Sequence, residues 1–122
     1  MSIVLVVDDE IEACNVLDEF LSSKGHEVHT AYDGDTAIEK IKGAKPHLVL
    51  LDMIMPGMHG IEVLREIQNI DPMVKVVMVT VVTDEEQACE TFEYGAYDYI
   101  TKPVDLSRLE AVLLATTLDS ST

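Results

Sequence analysis

The stretch Leu48-Val49-Leu50-Leu51-Asp52-Met53-Ile54-Met55-Pro56-Gly57-Met58-His59-Gly60 decides the architecture of this chain. An unbroken apolar run from Leu48 to Leu51 suits a strand buried on both faces, and Pro56, Gly57 and Gly60 force the chain to turn directly afterwards. Asp52 therefore stands at a strand's carboxyl end. Open α/β sheets keep their ligand chemistry in the crevice beyond such ends, so the residues sharing that crevice determine what Asp52 can do.

Toward the amino terminus, Ile3 to Val7 is a second continuous apolar run, and it stops at Asp8-Asp9-Glu10. From Ile11, apolar residues recur at helical spacing through Cys14, Leu17, Phe20 and Leu21, until Lys24-Gly25 ends the helix. Val28 to Ala31 is shorter and more polar, as an edge strand is, and Asp33-Gly34-Asp35 opens a helix through Ile41.

Toward the carboxyl terminus, Ile61, Leu64 and Ile67 mark a helix closed by Asp71-Pro72, and Val74 to Val79 forms a strand arriving at Thr80. Thr83-Asp84-Glu85-Glu86 has the form of a capping box for a helix that closes near Tyr94-Gly95. Tyr97 to Ile100 is a short strand ending at Thr101-Lys102-Pro103, and Asp105 caps a last helix carrying Leu106, Leu109, Val112 and Leu113. This repeated alternation predicts an α/β fold, a single doubly wound (βα)5 parallel sheet with helices on both faces. Residues 1–118 form the domain, and residues 119–122 a frayed tail or the start of a linker.

A chain of 122 residues builds one core, and its 48% hydrophobic content places it among globular proteins. Lys and Arg number 8 against 23 Asp and Glu, a net charge of −15, which opposes direct attraction to nucleic acid or to an anionic membrane. The expected partner is a protein. No stretch is long enough to span a bilayer, the start lacks a signal peptide, and Cys14 and Cys89 lack metal-type spacing. Both cysteines read as small core or boundary residues of a cytoplasmic protein. Phosphate-cradling glycine loops are absent, so any phosphate chemistry must come from side chains.

Asp8, Asp9, Asp52, Thr80 and Lys102 each follow a predicted strand. With those strands adjacent, the residues converge on one rim. Two unit charges about 4 Å apart repel by on the order of 4 kcal/mol at an effective dielectric near 20, so clustered carboxylates call for a cation. A hard divalent ion held by oxygens, Mg²⁺ or Mn²⁺, answers this. Lys102 and the Thr80 hydroxyl suit phosphoryl oxygens, which makes Asp52 a candidate phosphoryl acceptor.

Taken together, Val-Val-Asp8-Asp9-Glu10, Leu-Leu-Asp52-Met-Ile-Met-Pro56-Gly57-Met-His-Gly60, Thr80 and Gly95-Ala-Tyr-Asp-Tyr99-Ile-Thr-Lys102-Pro103 resemble the receiver domain of two-component response regulators over nearly the whole chain. The resemblance implies the flavodoxin-like strand order 2-1-3-4-5. It implies that Asp52 accepts a phosphoryl group from the phosphohistidine of a sensor histidine kinase or phosphotransfer protein. It further implies a metal held by Asp9, Asp52 and the backbone carbonyl of Ile54, with Asp8 acting through water, a switch made of Thr80 and Tyr99, and a cis peptide between Lys102 and Pro103. A downstream protein or an effector domain would read the switch. The face of the fourth and fifth helices is where such domains form homodimers, yet Asp84, Glu85, Glu86, Glu90 and Glu93 meet only Arg108 there.

The chain departs from the family pattern at Val81, where receivers usually have a very small residue, and at the apolar Ile54 and Val82. These residues predict hindered entry of small phosphodonors and a long-lived acyl phosphate, because water is poorly admitted and poorly oriented. Two other readings stand beside this one. A degenerate receiver would bind partners without phosphorylation, and an Asp-nucleophile phosphatase would need a carboxylate where Ile54 stands.

Overall fold

The computed structural model describes residues 2–55 and 57–120, so Met1, Pro56 and residues 121–122 lie outside the described residues. Its elements alternate strictly: β1 (Ile3–Val7), α1 (Ile11–Ser23), β2 (Glu27–Ala31), α2 (Gly34–Ala44), β3 (Leu48–Leu51), α3 (Gly60–Ile70), β4 (Lys75–Thr80), α4 (Glu85–Glu93), β5 (Asp98–Thr101) and α5 (Leu106–Ser120). The strands form one parallel sheet in the order β2-β1-β3-β4-β5. Fold class and strand order are as expected, with β3 at the centre.

Because strand side chains alternate between faces, the same strands feed two cores. Leu5, Val7, Val49, Leu51, Val76 and Met78 pack against Ala37 and Ile41 of α2 and Val63, Leu64 and Ile67 of α3. Val4, Val6, Leu48, Leu50, Val77 and Val79 pack against Cys14, Leu17 and Leu21 of α1 and Leu109, Val112 and Leu113 of α5. This double burial explains why the central strands read as unbroken apolar runs. Each fully buried leucine of β3 contributes roughly 2 kcal/mol of transfer free energy, so the strand presenting Asp52 is firmly held. In α4, by contrast, Thr91 is the buried residue.

Element ends moved by a residue or two, for local reasons. β4 begins at Lys75 and includes Thr80, whose backbone carbonyl accepts from Lys102 N at 2.8 Å. The expected Thr83 capping box does not form. Asp84 is the N-cap of α4, its Oδ1 accepting from Glu86 N at 2.9 Å and Gln87 N at 3.4 Å. Asp33 and Asp105 cap α2 and α5 as anticipated, through Thr36 N at 2.7 Å and Ser107 N at 2.9 Å. Gly25 and Gly95 stop their helices with φ of +89° and +102°, in the region glycine tolerates. Helix α5 is assigned through Ser120, and residues 121–122 of the expected tail lie outside the described residues.

The cysteines differ from the common reading given to them. Cys14 has no exposure, and its thiol donates to the carbonyl of Asp8 at 3.3 Å, whereas Cys89 is exposed on α4. Burial, reinforced by the negative charge of Asp8, pushes the Cys14 thiol up to about 11. Alkylation of the native protein at neutral pH is therefore expected to modify Cys89 alone, with Cys14 labelled only after unfolding. Peptide mapping checks this, and native labelling of Cys14 would contradict the packing described.

Candidate functional site at the carboxyl edge of the sheet

Strand register sets the site. Val7 lies opposite Leu51, so Asp8 and Asp52 leave neighbouring strands at the same level, and Asp52 N donates to Val7 O at 3.0 Å. Thr80 lies opposite Thr101, which delivers Lys102 one residue beyond the rim. The Lys102–Pro103 peptide is cis.

Asp8 and Asp52 are buried, and each has its carboxylate divided between an amide and the same lysine. Asp8 Oδ1 accepts from Glu10 N at 3.0 Å, and Asp52 Oδ1 accepts from Ile54 N at 3.1 Å. The Lys102 ammonium donates to Asp8 Oδ2 at 2.5 Å and to Asp52 Oδ2 at 3.1 Å, and lies 3.7 Å from Glu10 Oε1. Two fixed donors per carboxylate leave each aspartate little freedom to rotate.

The energetics of the pair pull in opposite directions. Burial pushes the Asp8 carboxyl above its ordinary range, outweighing the hydrogen bonds from Lys102 and the Glu10 amide that draw it down. At Lys102 burial works to lower the ammonium's pKa, but the bonds to Asp8 and Asp52, with their charges, carry it above its usual value. Lys102 thus stays charged at neutral pH and neutralises part of the acidic site.

Asp9 is exposed, yet one carboxylate oxygen from each of Asp8, Asp9 and Asp52 lies within 4.8 Å of the others. That donor set, all hard anionic oxygens around one opening, fits a divalent cation of the Mg²⁺ class. The structure therefore brings Asp8, Asp9, Asp52 and Lys102 together. Thr80 is fully buried at the end of β4, with its hydroxyl accepting from Val82 N at 3.4 Å. Ile54 and Val81 turn largely to solvent, 54% and 61% exposed, while Val82 packs against the core beside α2 and α3.

Tyr99 is half-buried against the same core, and its hydroxyl donates to the carbonyl of Val82 at 2.7 Å. Burial, then the charges of Asp52 and Asp84, push the phenol above its ordinary pKa, so it remains a donor. Val82 is thereby tied through its N–H to the threonine hydroxyl and through its carbonyl to the tyrosine. That tie was not legible in the sequence, since the acceptor is a backbone carbonyl. The Ile54 amide and the Glu10 amide were missed for the same reason.

An open doubly wound sheet with buried acids and a lysine at its carboxyl edge is the arrangement of Asp-centred phosphoryl-transfer domains, and similarity to known proteins says which. The chain belongs to the response regulator receiver domain family, whose family model matches residues 4–114. It is 38% identical over 110 residues to the transcriptional regulatory protein ZraR of Klebsiella oxytoca, which covers 90% of this chain and 25% of that protein. Among solved structures, it is similar to NtrX from Brucella abortus, with a TM-score of 0.91 and 36% identity over 98% of this chain and 28% of that one. A two-component response regulator from Clostridium difficile aligns over the whole of both chains, with a TM-score of 0.96 and 26% identity. The chain spans about a quarter of the length of the curated relatives it matches. No helix among the described residues is long and apolar enough to cross a membrane.

Proposed function

We propose that Asp52 is the phosphoryl acceptor of this receiver domain and that a sensor kinase or phosphotransfer protein is its donor. The observation that carries this reading is the buried Asp52 carboxylate, held by the Ile54 amide and Lys102 beside Asp8. In the transfer, a carboxylate oxygen of Asp52 attacks phosphorus, the P–N bond to the donor imidazole breaks, and an acyl phosphate forms. Lys102 supplies a positive charge for the transferred oxygens, and Thr80 supplies a hydroxyl.

Asp8, Asp9, Asp52 and the carbonyl of Ile54 would hold Mg²⁺ or Mn²⁺, which when bound offsets charge on the transferring phosphoryl group. Thr80 and Tyr99 form the switch, because both grip the loop between them and a new charge at Asp52 alters the threonine's best hydrogen bond. The output is a protein contact made by the surface around Tyr99, with an effector domain, a downstream protein or a second copy as the reader. With a net charge of −15 the domain does not itself bind nucleic acid.

Incubation with phosphoramidate and Mg²⁺, followed by intact mass, tests the reading. Addition of one phosphoryl group that hydroxylamine removes is expected, since hydroxylamine cleaves acyl phosphates. A mass unchanged with every donor tried, including a phosphohistidine protein, would favour a binding module that works without phosphorylation.

The acyl phosphate should be long-lived, because the Ile54 side chain and the half-buried Val82 offer nothing that orients a water. Replacing Ile54 by Asn is expected to shorten the lifetime by about tenfold, less than the roughly 100-fold or more of a full general base, because an amide orients a water without taking its proton. A phospho-Asp52 lifetime of seconds in the unaltered protein would remove the basis for this expectation.

A further inference from the structure

At the opposite, amino-terminal edge of the sheet, two histidines hold the start of β1. Ser2 N donates to His26 Nδ1 at 3.2 Å, and Ile3 N donates to His47 Nδ1 at 3.0 Å. The backbones close the same joints: Glu27 N donates to Ser2 O at 3.0 Å, and His47 N donates to Ile3 O at 2.8 Å. His47 thus uses its ring and its main chain on one residue. It lies one position before Leu48, the first residue of β3, and Leu48 pairs with Val4, so the ring provides an acceptor just beyond the regular ladder.

We propose that His26 and His47 form a pH-operated clamp on the amino-terminal end of β1, closed while both rings are neutral and released when they are protonated. A neutral imidazole with its proton on Nε2 presents Nδ1 as an acceptor, but imidazolium carries a proton on both nitrogens. Protonation would turn two acceptors into donors facing N–H groups, and each bond would become a repulsion.

The surroundings of His26 favour the closed state. Its ring is half-buried in the turn before β2, beside a shallow cavity of about 360 Å³ that Lys24 and, from α5, Glu110 also line. Lys24 and Glu110 pair with each other at 3.5 Å, so Glu110 is already answered and does not offer His26 a counter-ion. Burial, with the positive amino terminus acting in the same direction, lowers the His26 pKa below its ordinary 6.5. The nearby Glu27 carboxylate is engaged with His29 at 2.8 Å. His47 is exposed, and from β4 the Lys75 N–H donates to the His47 carbonyl at 3.1 Å while the Lys75 ammonium lies over the Tyr97 ring, 5.6 Å from its centroid.

The sign follows from linkage. A group that must be neutral in the folded chain and binds protons more readily when unfolded gives stability that is full above its unfolded value and lost as pH falls below it. For His26, whose pKa burial lowers, the bond from Ser2 N is therefore fully present above the ordinary imidazole value and is lost as pH falls below it.

The test compares the unaltered chain with His26→Asn, His47→Asn and the double variant, because Asn Oδ1 can take the place of Nδ1 as an acceptor that does not titrate. Amide protection at Ile3 and Val4, corrected for intrinsic exchange, is expected to fall at least tenfold between pH 7.5 and pH 5 in the unaltered chain and to stay level in the double variant. Ring nitrogen shifts should show the Nε2–H tautomer at pH 7.5. Protection that is independent of pH, an equal fall in the double variant, or an Nδ1–H tautomer at either ring would overturn the proposal.

Discussion

Asp52→Asn is expected to abolish covalent phosphorylation while leaving the fold in place. The amide keeps an oxygen that can accept from Ile54 N, the bond that now orients the carboxylate at 3.1 Å. It loses one acceptor for Lys102, but Lys102 retains Asp8 Oδ2, and removal of a buried negative charge beside Asp8 relieves repulsion. These changes oppose one another, so stability should move by no more than about 1 kcal/mol, the net worth of one hydrogen bond. Nucleophilicity, in contrast, disappears with the charge. Intact mass after treatment with phosphoramidate and Mg²⁺ should show one phosphoryl group on the unaltered protein and none on the variant, and urea melts of both should superimpose closely. A variant that is still phosphorylated would move the acceptor elsewhere.

Gly60→Ala is the second large effect. A Cβ at this position would sit 2.5 Å from Met53 Cα, 2.7 Å from the Asp52 carbonyl oxygen and 2.9 Å from the Met53 carbonyl oxygen. All three are backbone atoms, so no side chain can move aside. Gly60 N also donates to Met53 O at 2.9 Å, which holds the first turn of α3 against the loop leaving β3. An added methyl must therefore separate α3 from that loop or shift Asp52 itself, and a loss of about 3 kcal/mol is expected, the upper range for overpacking. Urea denaturation measures the stability. A second reading separates site from fold: the apparent affinity for Mg²⁺, followed by isothermal titration under conditions where the variant is folded, should weaken as well. A variant as stable as the parent would mean that the loop accommodates the methyl, contrary to the close approach described.

Much of this was readable from residue order alone because the sheet is parallel. Strands buried on both faces leave continuous apolar runs, as in Leu48 to Leu51, and a parallel sheet sends every carboxyl end to the same edge, so Asp8, Asp52, Thr80 and Lys102 could be placed together without coordinates. What escaped was carried by the main chain or by side chains with several uses. Asp84 and Thr83 are adjacent helix-capping types, and nothing local ranks them. The structure selects Asp84, which offers Oδ1 to two amides. His59 caps α3 by accepting from Ile61 N at 3.2 Å, a task that capping preference assigns to Ser, Thr, Asp or Asn. Val81 was expected to crowd the approach to Asp52, and its 61% exposure places much of that side chain in solvent. Whether a residue after a strand points inward or outward depends on the turn that follows, and turn geometry is the part of a sequence least constrained by periodicity.

The placement of Lys102 also bears on how the protein is made. A ribosome releases the acids at positions 8, 9 and 52 first and the lysine that binds Asp8 and Asp52 only after all five strands have emerged. Until β5 docks beside β4, the nascent chain carries clustered carboxylates with no tethered cation between them. Completion of the last unit therefore assembles the charge balance of the site as well as the edge of the sheet. A chain truncated before residue 102 would expose an acidic crevice that differs from the finished one in electrostatics, and not merely in size.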